Sequence, residues 1–93
     1  ISSQQALDMG MINRVVPVEN LDDAVNELTR KLVASPGLAL AKIKAALNAS
    51  AQSDLAAALE FEAVGQGDCF RSEDFKEGVS AFLQKRKPNF TGK

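Results

Sequence analysis

Over most of this chain the apolar residues recur at the spacing of a helix, not of a strand. Leu21, Ala24, Val25, Leu28 and Leu32 stand at i, i+3, i+4, i+7 and i+11 and make one stripe. Asn20 is placed to cap that helix, Asp22 and Asp23 complement its positive end, and Lys31 suits its last turn. Ser35-Pro36-Gly37 breaks it and starts the next. Residues 38–48 are rich in Ala, Leu and Ile with Lys42 and Lys44 as the only charges, so this helix is expected to be the most enclosed element. Ser53 then caps a helix that reaches Val64 or Asp68. Leu55, Leu59 and Ala63 form its main stripe, and Phe61 and Val64 fall off it, so a second surface is expected to be covered too. Gly65 and Gly67 weaken its end by about 1 kcal/mol each relative to Ala.

The two ends read differently. Ser3 to Met9 is a short helix with Ser2 or Ser3 as cap and Gly10 in the left-handed position after it. Ile12 to Val16, with Val15 and Val16 β-branched, is expected to be a short strand stopped by Pro17. A lone strand this short needs partners, so its sheet is expected outside this chain or in another copy. At the other end Ser72 caps a last helix. Glu73, Asp74 and Glu77 decorate its start and stabilise the dipole. Phe75, Val79, Phe82 and Leu83 stripe it, and Lys85, Arg86 and Lys87 crowd its C-terminus. Pro88 is expected to stop it, because the residue before a proline is biased away from the α region. The architecture expected is mainly α, with four to five helices and one short strand.

Composition narrows the chemistry. Ninety-three residues make one small domain with a modest core, and the absence of an initial Met reads as a piece of something longer. No apolar run within these residues is long enough to span a membrane, and none of them reads as a secretory leader, which a fragment would not retain. The net charge of −1 hides segregation: seven acids lie in residues 51–84, and four bases without an acid in residues 85–93. A basic tail alone does not make a nucleic-acid binder, which needs cations over a whole face with interleaved aromatics. Cys69 is the only cysteine and there is no histidine, so neither a disulfide framework nor a thiolate metal site is expected. Glu60 and Glu62, two apart, diverge from one helix, as do the adjacent Asp22 and Asp23, so no carboxylate pair converges on a substrate.

The wording of both ends resembles one family. Glu77-Gly78-Val79-Ser80-Ala81-Phe82-Leu83-Gln84-Lys85-Arg86-Lys87-Pro88-Asn89-Phe90 is similar to the C-terminal passage E-G-x-x-A-F-x-x-K-R-K-P-x-F of the enoyl-CoA hydratase/isomerase (crotonase) superfamily. Ala6 to Pro17 resembles its A-x-x-x-G-L-V-N-x-V-V-P passage, and Ser35-Pro36 with Ala39 and Lys42 resembles its S-P-x-x-A-x-x-K segment. The matches run in order over nearly the whole chain. The resemblance implies that residues 1–18 are the last helix and strand of the family's spiral core. Residues 19–93 are then its helical C-terminal domain, which builds oligomers and covers the acyl-CoA site.

The catalytic glutamates and the oxyanion hole of such enzymes lie upstream. The resemblance therefore implies no catalytic residue here, no metal and no cofactor, acyl-CoA being the substrate. The implied parent reaction is hydration of a trans-2-enoyl-CoA, with isomerisation or another reaction of the same thioester enolate as the alternative. A non-catalytic crotonase-like assembly module is a third reading. The implied partners are further copies of the chain and a CoA thioester. The compartment stays open between cytoplasm and an organellar matrix. Phe82 and Lys85 are the positions the resemblance assigns to contact with the CoA end. For Phe82 the competing reading is plain core, since it shares a stripe with Phe75 and Val79.

Overall fold

The computed structural model describes residues 1–93, with five helices: α1 (Ser3–Asp8), α2 (Leu21–Val33), α3 (Gly37–Ser50), α4 (Leu55–Arg71) and α5 (Glu73–Leu83). They belong to two compact units, residues 1–31 and 32–93. The mainly α expectation holds.

In the first unit α1 is closed at both ends by local chemistry. Ser2 accepts from the Gln5 N–H while the Gln5 side chain accepts from the Ser2 N–H, a reciprocal capping box. At its end Gly10 sits at φ +73°, its N–H donating to Leu7 O and the Met11 N–H to Ala6 O. That is a Schellman closure with glycine in the left-handed position, as its place in the sequence suggested. Residues 12–17 are not a strand. β-branched residues favour extended backbone, but no ladder partner lies in the chain, and a ladder is what defines a strand. Arg14 instead joins Lys31 on the carboxylate of Glu27 at 3.0 and 2.7 Å, which anchors this stretch to α2. Asn20 is not a cap either. It lies in a 3₁₀ turn, Val18–Asn20, that follows Pro17 and runs directly into α2.

The second unit is a succession of antagonistic choices about which face to cover. α3 packs on α4, and α4 on α5. α3 is not the enclosed element expected: none of its residues is buried, and Ile43 and Leu47 stay exposed. On α4 the Leu55–Leu59 stripe is likewise exposed, and the helix uses its small residues instead. Gly65 is buried against the aliphatic stem of Lys42, whose ammonium reaches on to Asp68 at 2.5 Å. This crossing carries α4 through both glycines to Arg71, beyond the expected end, because Asp68 pairs with Lys42 across the interface and with Arg71 along the helix. Asp54 rather than Ser53 is the cap of α4, accepting from the Ala57 N–H, while Ser53 donates to Ala49 O. Ser72 turns the α4–α5 corner as expected. Its hydroxyl donates to Cys69 O and accepts from the Phe75 N–H, and Phe70 meets Phe75 edge-on at 4.9 Å. Ala81 is the only fully buried apolar residue, so the covered core is small.

Candidate functional site

The densest chemistry of the molecule lies between α5 and the segment that follows it. α5 does not run to Pro88. It ends at Leu83, five residues earlier, where Lys85 adopts φ 54°. The Lys85 N–H donates to Phe82 O and the Arg86 N–H to Ala81 O, so a Schellman closure forms with a lysine where glycine is usual. A left-handed residue bearing a Cβ costs about 1–2 kcal/mol, which the surroundings must offset. Pro88 therefore stiffens the chain after the reversal and does not cause it.

What offsets the strain is a pair of carboxylates. Asp74 and Glu77, three apart, share one face of α5. Asp74 is 3 % exposed, and it accepts from the backbone N–H groups of Thr91 at 2.7 Å and Gly92 at 2.9 Å, while its own N–H donates to Lys93 O. Glu77 accepts both guanidinium arms of Arg86, at 2.5 and 2.7 Å, and the Asn89 N–H at 2.7 Å. The Arg86 fork, then the Asn89 N–H, hold the Glu77 carboxyl down at about 2, and the same pairing raises the Arg86 guanidinium. These two acids are thus not helix-start decoration. They strap residues 86–93 back along α5. Only Glu73 behaves as expected, exposed and paired with Lys76. Arg86, one of the three cations expected to crowd the helix C-terminus, is the strap's buckle.

The strap lays Phe90 over Gly78, where an added Cβ would meet the ring at 3.5 Å. Phe90 thereby walls an apolar groove of about 410 Å³, lined also by Leu38, Ala39, Phe75, Val79 and Phe82. Phe82 is 82 % exposed, which rules out its reading as core within this chain. Its ring stands at the edge of the groove. Lys85, three residues on, does not line the groove; its ammonium is exposed and has no side-chain partner. The structure thus places the two expected contact residues on one helix end, with Phe82 in the groove and Lys85 beyond it. Asp74, Glu77, Arg86 and Phe90 were the residues sequence reasoning missed. The spacing of Asp74 and Glu77 on one face, ahead of a tail with an arginine, was the available signal.

An apolar groove walled by aromatic rings suits an apolar group, and the exposed Lys85 ammonium suits an anion. The carboxylates of α5 are all engaged, by Lys76, by the tail backbone and by Arg86, so none is free to act as an acid or base. The chain matches the enoyl-CoA hydratase/isomerase family over residues 1–93 and belongs to that family. Among its relatives it is 44 % identical over its whole length to the 1,2-epoxyphenylacetyl-CoA isomerase of Escherichia coli K12, covering 36 % of that protein. It is 39 % identical to the crotonyl-CoA hydratase of Syntrophomonas wolfei, again over its whole length and 36 % of the relative. Its structure superposes on an enoyl-CoA hydratase from Bacillus anthracis with a TM-score of 0.94 at 31 % identity, covering 36 % of that chain. The chain therefore spans about a third of the length of the relatives it matches. That fits the helical C-terminal domain of the family.

Proposed function

We propose that this domain closes the acyl-CoA site of an enoyl-CoA hydratase/isomerase family enzyme and joins its subunits, with Phe82 and Lys85 meeting the nucleotide end of the thioester. The observation that carries the reading is the pairing of an exposed Phe82 at the edge of an apolar groove with an unpartnered ammonium three residues further on. An aromatic ring packs beside adenine, and a compact ammonium pairs with a phosphate. The parent reaction is hydration of a trans-2-enoyl-CoA. One glutamate upstream activates water, a second protonates C2, and an oxyanion hole holds the enolate.

A second reading is isomerisation in the parent, since the chain is 44 % identical to an isomerase and 39 % to a hydratase. So even a likeness to two reaction types is what a segment without reaction-specific residues would show. Self-association is supported by apolar faces that stay open, Leu21, Val25 and Leu28 in the first unit, and Ile43, Leu47, Leu55 and Leu59 in the second.

The test is Lys85→Ala in the full-length enzyme. The lysine meets phosphates remote from the reacting bond, so its contribution is equal in ground and transition states and falls on KM, not kcat. A roughly five- to thirty-fold rise in KM is expected, shrinking as salt rises. The rise should vanish with a pantetheine thioester, which lacks the nucleotide phosphates. An equal rise for both substrates would refute the phosphate role.

A further inference from the structure

Lys85 is held in a conformation that lysine does not choose for itself, and both its neighbours are tied. On one side the Gln84 side chain donates to Ser80 Oγ at 3.1 Å and accepts from Arg86 Nε at 2.8 Å. On the other, the remaining guanidinium nitrogens of Arg86 grip Glu77, which also takes the Asn89 N–H. The turn at Lys85 is therefore bracketed by one network rooted in the carboxylate of Glu77. Of the two cations adjoining that turn, Arg86 is consumed by the network and Lys85 is presented by it. We infer that Glu77 and Arg86 are positioning residues for ligand binding: they lock the left-handed turn that aims the Lys85 ammonium, and with it set the grip on the nucleotide end of the thioester.

This inference rests on the reading that Lys85 meets the phosphates, and the geometry adds how it is aimed. The fork matters, not the charge alone. A planar guanidinium held by both carboxylate oxygens fixes orientation as well as distance, which an ammonium in its place does not. Without the fork, the turn at Lys85 is held only from further along the strap, through Asp74, so the ammonium is no longer fixed along one vector. Phe82 precedes the reversal on the helix proper, so its ring keeps its place when the clamp is lost.

The experiment uses the full-length enzyme and four variants, Glu77→Gln, Arg86→Lys, Lys85→Ala and the double variant Glu77→Gln/Lys85→Ala. KM and kcat are measured with an enoyl-CoA and with the matching pantetheine thioester. Glu77→Gln and Arg86→Lys should each raise KM for the CoA substrate about three- to tenfold, with kcat and the pantetheine KM unchanged. In the Lys85→Ala background Glu77→Gln should add less than about twofold, because its effect runs through the lysine. If Glu77→Gln does not fold, Arg86→Lys carries the same expectation in both backgrounds. If Lys85→Ala raises the CoA KM and neither clamp variant does, the inference fails and the phosphate role of Lys85 survives. A clamp effect of full size in the Lys85→Ala background also overturns it, since the clamp would then act elsewhere. A Lys85→Ala variant with unaltered KM overturns both.

Discussion

Removing the carboxylate of Asp74 should free the end of the chain while leaving the helices in place. Asp74→Ala deletes the acceptor of two backbone N–H groups, Thr91 at 2.7 Å and Gly92 at 2.9 Å. A hydrogen bond to a charged acceptor contributes about 1.5–3 kcal/mol, but the total here is less than twice that. Thr91 and Gly92 are themselves exposed, so water takes over their donors once the carboxylate is gone. Removing a buried carboxylate also cancels its own desolvation cost. The net loss is therefore about 2–3 kcal/mol. Amide hydrogen exchange is the assay, because the opening is local. Thr91 and Gly92 should exchange about 30- to 150-fold faster in the variant, with amides in the α3–α4 crossing little changed. Asp74→Asn keeps one acceptor and turns an NH₂ toward the other donor, so it should fall between wild type and Ala. Unchanged protection at Thr91 and Gly92 in Asp74→Ala would refute the account of the strap.

Three further outcomes follow from the same structure. Glu27 and Glu77 are both held at about 2, against 4.5, chiefly by Lys31 and Arg14 for the first and by Arg86 for the second. Their folded values lie below the unfolded ones, so the stability they contribute is present above about pH 4.5 and is lost as pH falls toward 2; a side-chain NMR titration of Glu77 near 4.5 in the folded chain would contradict this. Gly65→Ala should stabilise by about 1 kcal/mol and raise Tm by about 4–8 °C, since the added methyl meets Lys42 carbons at 3.6–3.8 Å, ordinary contact, whereas Gly10→Ala at φ +73° should destabilise. The isolated chain should self-associate at micromolar concentration through its open leucine faces, and sedimentation as a single monomeric species would count against that.

The helices were legible, and so were those closures that depend on a few adjacent residues. Ser2 before α1, Gly10 after it and Ser72 before α5 do what their positions suggest, whereas Asn20, Ser53 and Pro88 do not close their helices as expected. Burial was not legible. Periodicity reports which face is apolar, not which apolar face finds a neighbour. α4 meets α3 through Gly65 because a glycine allows the Lys42 stem to lie close, whereas its leucine stripe, the stronger signal, is left open. The short strand failed for a related reason: β-branched residues set backbone conformation, but pairing is a property of two segments, and the second is not in this chain. Within the site, Phe82 and Lys85 were legible only through the resemblance. Asp74 and Glu77 were hidden by their position, since acids in the first turns of a helix already have a sufficient explanation in the dipole.

The tail passage owes its order to the reversal at Lys85. Arg86 reaches back nine residues to Glu77, and Asn89 twelve to the same carboxylate. Thr91 and Gly92 reach back seventeen and eighteen to Asp74. Residues further along the tail meet residues further back on the helix, which is how a strap behaves when it runs antiparallel to the helix it has just left. Such a path needs a tight turn close to the helix end, and a right-handed Lys85 would carry the chain onward instead. The cost of the left-handed lysine is therefore tied to the strap: the turn gives Phe90 its route back over Gly78, and Asp74 holds that route through Thr91 and Gly92 even when Glu77 is altered. It follows that Lys85→Gly should preserve the strap while removing the ammonium, whereas Glu77→Gln should loosen the turn while keeping the ammonium. Anything these two substitutions do differently separates the binding of charge at this helix end from the architecture that presents it.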